Sequence, residues 1–193
     1  MEPLQPNFNP FPVLETERML LRAFTPDDAP AVLLYRSNAD AMRYIPRPIQ
    51  STLDDALKMI REITDMIAAN DGICWAMELK SNGEVIGSMS YHLIHKQHHR
   101  AELGYMIHPS HWGKGYVSEA VKALLDYGFD DLKCHSLEAI IDPLNTASER
   151  VLLKAGFVKE GHFKENFVHN GEFTDTAIYS LLREDYLKVK KSV

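Results

Sequence analysis

The hydrophobic pattern of the chain changes its period near residue 108, and this change limits the fold more than any other feature. Between residues 73 and 107, short apolar runs alternate with turn residues such as Ser81-Asn82-Gly83, which predicts an antiparallel meander of three strands. Beyond residue 108 the pattern predicts a helix around residues 117–125, a strand over residues 136–141 and a helix over residues 145–154. A meander followed by alternating helices and strands predicts a mixed α+β fold around one central sheet.

Earlier and later segments extend this pattern. The run Met19–Phe24 predicts a first strand, and Thr25 is a suitable N-cap for a helix with proline at its first position. Ser51 and Asp54 mark the start of a second helix in the same way. Residues 183–191 alternate in charge, which predicts a solvated C-terminal helix.

A hairpin is predicted near the end of the chain. Residues 157–168 and 174–182 have strand character, and Asn170-Gly171 between them is typical of a tight turn. At the other end, four prolines within the first twelve residues exclude a helix. We therefore expect an extended arm over residues 1–13 and a single domain over residues 14–193.

Composition excludes several classes of protein. The 21 Lys and Arg against 27 Asp and Glu give a net charge of -6, which is the wrong sign for holding nucleic acid by its phosphates. No run of 18 apolar residues is present, and the first residues lack a basic and apolar leader. We expect a cytoplasmic protein that binds neither nucleic acid nor membrane.

The metal-ligating residue types do not form a recognisable site. Cys74 and Cys134 are too few and too far apart for a disulfide scaffold or a four-thiolate site. The histidines lack carboxylates or thiolates at matching spacing, which favours solvated turns over a metal site and predicts no metal. These histidines are His92, His95, His98, His99, His108 and His111.

The segment from His108 to Ala120 is a glycine-rich turn between a strand and an amphipathic helix. Gly113 and Gly115 allow backbone conformations closed to other residues, so consecutive amide groups can point into one concave space that binds phosphate. A Walker loop is excluded because Lys114 is followed by glycine, and the dinucleotide fingerprint needs three glycines. A plain tight turn remains the alternative.

Five motifs in order resemble the GNAT superfamily of N-acetyltransferases, and within it the ribosomal-protein N-terminal acetyltransferases of the Rim type. They cover residues 14–182, nearly the whole chain. The motifs are Leu14–Arg22, Ala101–Tyr105, Trp112–Ala120, Asn145–Ser148, and Lys154–Phe157 with Glu160-Gly161.

This resemblance implies a GNAT fold, with a mostly antiparallel, V-shaped sheet of about seven strands and about four helices. Acetyl-CoA would lie in the opening between the strands ending near Ile107 and Ile141. Trp112 stands where the family has Gln or Arg, and Val117 stands where it has Gly or Ala, so the branched side chain of Val117 would lie near the phosphates. The expected acetyl-CoA-binding residues are Met106, Ile107, Trp112, Gly113, Lys114, Gly115, Tyr116, Val117, Ser118 and Asn145.

The resemblance also implies catalytic residues. Glu102 is the first candidate base, directly or through water, and the alternative is an ion-paired strand residue beside Arg100 or a basic neighbour. Ser148 is the candidate proton donor, because Leu152 stands where many relatives have tyrosine; an ordinary first-turn serine is the alternative. Asn145 is either a helix N-cap or a pantetheine contact. Glu160 and Glu165 are weaker candidate bases, and Tyr105 is read as a packing residue.

We therefore expect an enzyme that transfers acetyl from acetyl-CoA to a primary amine in a ternary complex. The expected site has few groups for acid–base catalysis, and such a site suits a protein or peptide N-terminal α-amine. This amine titrates near pH 8 and is partly neutral without help from a base, whereas lysine titrates above about 10. A polyamine or antibiotic acceptor, a silent CoA-binding module and a scaffold-only interaction protein remain alternatives. The expected partner is an amine-bearing substrate, and the expected assembly is a monomer or a homodimer.

Overall fold

Eight strands and six α-helices occur within the described residues, which are 1–169 and 171–190 of a computed structural model. The strands are β1 (Leu14–Glu15), β2 (Met19–Arg22), β3 (Ile73–Leu79), β4 (Val85–His95), β5 (Arg100–Ile107), β6 (Ser136–Ile141), β7 (Val158–His169) and β8 (Glu172–Leu182). The helices are α1 (Ala29–Arg36), α2 (Ala39–Met42), α3 (Leu53–Ala68), α4 (Tyr116–Asp126), α5 (Thr146–Lys154) and α6 (Arg183–Lys190). The mixed α+β fold predicted from the sequence is confirmed.

The additional elements are short or terminal. β1 has two residues, and it pairs with β2 through Leu14 opposite Leu21 and Glu15 opposite Leu20. A two-residue strand and the single turn of α2 are too short to show a hydrophobic period, so the pattern of the sequence missed them. α6 also exceeds the number of about four helices that the resemblance implied, but it lies where the sequence pattern predicted a C-terminal helix.

Some predicted element ends differ from the observed ones by one to three residues. The first strand ends at Arg22, and a 3-10 turn over Pro26–Asp28 precedes α1. α3 is capped by Thr52, not Ser51, because the Thr52 hydroxyl accepts from the Asp55 N–H at 3.2 Å while the Asp55 carboxylate accepts from the Thr52 N–H at 2.9 Å.

The C-terminal elements agree with the sequence in kind. β7 and β8 pair antiparallel up to His169 opposite Glu172, although Asn170 of the predicted turn lies outside the described residues. The predicted solvated helix is partly buried, since the Tyr186 ring stacks on Phe129 at 4.9 Å between centroids. Lys191 lies outside the described residues as well.

The sheet order is β1-β2-β3-β4-β5-β6-β8-β7, and the pairing of β5 with β6 is parallel. This pairing covers residues 100–102 against residues 136–138, after which the two strands separate. The predicted V-shaped opening is therefore present, bounded by the later parts of β5 and β6.

Side chains of β5 alternate between two cores on opposite faces of the sheet. Leu103 and Ile107 pack in the core that contains α4 residues, whereas Met106 packs in the core that contains α1 and α3 residues. The N-terminal arm belongs to the first core, because Leu4 and Phe8 are buried in it. The alternation decides which side of the opening each β5 side chain faces.

Candidate functional site

The opening in the sheet exposes backbone groups of β5. The N–H of His108 donates to the Ile86 carbonyl at 2.9 Å, and Met106 lies opposite Ser88. In an antiparallel ladder the amides alternate in direction, so the N–H of Met106 faces β4 and that of Ile107 faces the opening. Of Met106 and Ile107, both expected to contact acetyl-CoA, only Ile107 therefore has its N–H directed into the opening, where it could donate to a carbonyl oxygen.

The glycine-rich turn leads from β5 into α4. Gly113 has φ 71° and Gly115 has φ 83°, both in the left-handed region that favours glycine. Gly115 is the N-cap of α4. The first hydrogen bond of the helix joins the N–H of Glu119 to the carbonyl of Gly115, at 3.1 Å. The amides of Tyr116, Val117 and Ser118 thus lack helical partners, which is the arrangement that binds phosphate oxygens.

Arg18 holds this turn from outside the site. Its Nη1 donates to the Lys114 carbonyl at 2.9 Å, its Nε pairs with Glu119 at 2.6 Å, and its guanidinium lies 4.4 Å from the centroid of the Tyr116 ring. The resemblance placed Arg18 inside a matching motif but gave it no role. Its position 96 residues before Lys114 gives no local signal of this contact.

The two departures from the family pattern do not block the amides. The indole N–H of Trp112 donates to the Ile107 carbonyl at 3.1 Å, which ties the turn to the end of β5. Val117 is half-buried and packs against the core beneath α4. The side chain that was expected to lie near the phosphates therefore contributes to the core. Free amides beside an opening in the sheet fit a phosphate-bearing acyl carrier.

Glu102 lies at the base of the opening with a basic partner. Its Oε1 is 3.1 Å from Nε2 of His92 on β4, whereas Arg100 pairs with Glu138 on β6 at 2.5 Å. The basic neighbour of the alternative reading is thus His92 and not Arg100. His92 sits in a β-bulge of β4 and is 44% exposed, so it connects Glu102 to solvent.

Ser148 and Tyr105 meet in the opening. The two hydroxyl oxygens are 2.6 Å apart, and Ser148 is buried in the first turn of α5. Burial raises the pKa of Tyr105 to about 12, so its phenol keeps its proton at neutral pH. Tyr105, read from the sequence as a packing residue, therefore also makes a polar contact with the candidate proton donor. Period-two alternation along β5 was the signal that could have placed it on the α5 side.

The remaining candidates have simpler surroundings. Asn145 is the N-cap of α5, since its Oδ1 accepts from the Ser148 N–H at 3.1 Å, and this leaves its amide nitrogen available. Leu152 is fully buried in the core. Glu160 and Glu165 lie exposed on β7, two strands away from β6.

Within residues 1–169 and 171–190, no group of three or more His, Cys, Asp or Glu side chains has an arrangement that could hold a metal ion. No helix in the same part of the chain is long and apolar enough to span a membrane.

Comparisons with known proteins agree with this geometry. Residues 18–158 match the family described as acetyltransferase (GNAT) domain. The uncharacterized N-acetyltransferase YoaA of Bacillus subtilis is 36% identical over 90% of this chain and 98% of its own length. Spermidine N(1)-acetyltransferase of Escherichia coli is 27% identical over 89% of this chain and 90% of its own.

A solved structure confirms the fold. RimL, a ribosomal alpha-N-protein acetyltransferase in complex with coenzyme A, superposes with a TM-score of 0.81 over 89% of this chain and 98% of its own, at 20% identity. With the open sheet, the glycine-rich turn and the matched family model together, the chain belongs to the GNAT acetyltransferase family.

Proposed function

We propose that this protein transfers the acetyl group of acetyl-CoA to a primary amine, most simply a protein or peptide N-terminal α-amine, by direct attack in a ternary complex. The observation behind this proposal is that the opening between β5 and β6 lies beside the unpartnered amides at the start of α4. β5 forms one wall of the opening and leads directly into the turn that carries these amides. A phosphate-bearing carrier can thus be held at the turn while its acyl end reaches the gap in the sheet.

Acetyl-CoA supplies a thioester carbonyl and a thiolate leaving group. The amides of residues 115–118 would hold its pyrophosphate, Trp112 and Gly113 shape the turn, and the free amide nitrogen of Asn145 would reach the pantetheine arm. The N–H of Ile107 would donate to the carbonyl oxygen as negative charge develops there. The acetyl-CoA site would also include Met106 at the end of β5, and Lys114 and Tyr116 in the glycine-rich turn, through their backbone or their packing.

The proton transfers need two groups. As the amine nitrogen bonds to the carbonyl carbon and the carbon–sulfur bond breaks, Glu102 would accept the proton from nitrogen, with exposed His92 passing it to solvent. The Ser148 hydroxyl would give a proton to the departing sulfur. Tyr105 would hold that hydroxyl in place.

Two acceptor classes compete. The resemblance to the Rim branch supports an N-terminal α-amine. The net charge of -6, which attracts cationic groups, also supports it. The Escherichia coli relative, whose name gives spermidine as its substrate, supports a polyamine.

The test combines binding and turnover. Calorimetry with acetyl-CoA comes first, and free-thiol release is then measured with spermidine, an aminoglycoside, and peptides with free or blocked N-termini. Mass spectrometry locates the acetyl group. We expect acetylation of the free peptide N-terminus. A kcat/KM for spermidine or the aminoglycoside far above that of every free peptide would overturn the N-terminal acceptor, and binding without any turnover would favour the silent CoA-binding module.

A further inference from the structure

Arg36 lies in the last turn of α1. Its Nε is buried and has no hydrogen-bond partner within the part of the chain that the structure describes, and its Nη1 donates to the sulfur of Met106 at 3.7 Å. Among residues 1–169 and 171–190, no carboxylate lies within ion-pair distance of it. A buried charge without compensating hydrogen bonds is costly, and a position near a helix C-terminus offsets only part of that cost.

Other arginines near the sheet are paired. Arg22 contacts Asp28 at 2.8 Å and Glu78 at 2.5 Å, and Arg100 contacts Glu138 at 2.5 Å. Arg18 contacts Glu119 at 2.6 Å. Arg36 differs from these three arginines, because within the described residues no carboxylate pairs with it.

A second unsatisfied group adjoins Arg36. The backbone N–H of Gln50 donates to the Arg36 carbonyl at 3.2 Å, and the Gln50 side-chain oxygen is buried without a hydrogen-bond donor. Burial, together with the nearby charge of Arg47, lowers the pKa of Arg36. One small region therefore combines two arginines with an unused acceptor oxygen.

This region borders the opening on the side away from α4. Met106, which Arg36 contacts, precedes Ile107 at the end of β5, and its side chain packs in the core of α1 and α3. The turn proposed to hold the pyrophosphate leads into α4, which packs on the other face. Arg36 therefore lies on the α1 side of the end of β5, in contact with the residue before Ile107.

We propose that half-buried Arg36 and exposed Arg47 bind an anionic group of the acceptor. The acceptor class is then a peptide whose second residue carries a carboxylate or phosphate, and not a polyamine. This inference rests on the proposed function and narrows its substrate. The guanidinium fork suits both anions.

The test uses peptides that differ in one group. Ser-Asp-Ala-Ala amide, its Ser-Asn counterpart and its Ser-phosphoserine counterpart are compared as acceptors for the wild type, Arg36→Gln and Arg47→Gln. Arg61→Gln is the matched control, because Arg61 is an exposed arginine on α3 that makes no ion pair within the described residues. Calorimetric binding of the same peptides to the CoA-saturated protein gives a readout independent of turnover.

We expect the wild type to prefer an acidic peptide over the Ser-Asn peptide by at least tenfold in kcat/KM and in affinity. Arg36→Gln should reduce that ratio below twofold without changing acetyl-CoA affinity, and Arg61→Gln should leave it intact. The better of the aspartate and phosphoserine peptides identifies the anion. If Arg36→Gln does not fold, two other variants replace it in the test. They are Arg36→Lys, which retains the charge, and Arg47→Gln, which changes an exposed residue.

Equal binding of acidic and neutral peptides by the wild type would overturn the inference, as would an unchanged ratio in folded Arg36→Gln. Preferential binding of an acidic peptide without acetylation would instead count against the proposed function and support the anion site. Acetylation of acidic and neutral peptides at equal rates would support the proposed function and overturn the anion site.

Discussion

The hydrogen bond between Ser148 and Tyr105 sets the chemistry available at the leaving-group side of the opening. A lone serine hydroxyl rotates freely, whereas one held 2.6 Å from a phenol has a preferred orientation. Because the pKa of Tyr105 is raised to about 12 by burial, this pair remains protonated through the neutral range.

Ser148→Ala should lower turnover by roughly 10- to 1000-fold while leaving acetyl-CoA affinity nearly unchanged, because an acid catalyst is lost and the binding amides remain. Tyr105→Phe should give a smaller fall, and the double variant should resemble Ser148→Ala, since the two hydroxyls act as a unit. Steady-state kinetics and calorimetry measure these effects. Unchanged turnover in Ser148→Ala would return Ser148 to an ordinary first-turn role.

Glu102→Gln keeps the shape of the side chain and removes its charge. If Glu102 accepts the proton from the amine, the rate of this variant should recover as the pH is raised and the amine loses its proton unaided. A pH–rate profile measures the recovery, with exposed Glu160→Gln on β7 as the control. A parallel fall at every pH would indicate that Glu102 serves only its ion pair with His92.

At the scale of elements, the start of α4 depends on two glycines and one distant arginine. The positive φ angles orient the amides, and Arg18 fixes the Lys114 carbonyl and the first turn of the helix. Helix and turn could be predicted because their signals are local. Arg18 could not be assigned to the turn, because its contact depends on the packing of β2 against α4.

Gly115→Asp should weaken acetyl-CoA binding by at least tenfold, about 1.4 kcal/mol, because it adds bulk and negative charge at the N-cap of α4. Gly171→Asp is the control, since Gly171 has φ 82° with open space around it in the β7–β8 hairpin. Calorimetry on both folded variants measures their affinity for acetyl-CoA. An affinity equal to that of the wild type in Gly115→Asp would remove the turn from the binding site.

The N-terminal arm is an element without regular structure that nevertheless adds to the core. Phe8 is 3% exposed, and its N–H donates to the Asn70 side chain at 3.1 Å. Phe8→Ala should lower the free energy of unfolding by about 3 kcal/mol, whereas exposed Val13→Ala should change it little. Urea unfolding measures both, and a loss below about 1 kcal/mol for Phe8→Ala would show that the arm contributes little.

At the scale of the whole molecule, the sequence predicted what depends on local periodicity and missed what depends on distant contacts. The meander, α4, α5 and the final hairpin follow from hydrophobic spacing and turn residues. Ser51 and Thr52 are both suitable caps by type, and the Asp55 carboxylate accepts from the N–H of each, but it is the Thr52 hydroxyl that accepts from the Asp55 N–H. The contact of Tyr105 with Ser148 joins residues 43 positions apart, and the missing partner of Arg36 is visible only after packing.

The parallel seam between β5 and β6 also has a consequence for cooperativity. Three residue pairs join the β1–β5 half of the sheet to the β6–β8 half within the described ladder, and the first of these pairs joins Arg100 to Ser136. Antiparallel strands close in sequence can form before such a seam closes. A molecule bound in the opening would contact both halves, so occupancy would stabilise their union by mass action and slow amide exchange in β6 and β8 as well as at the turn.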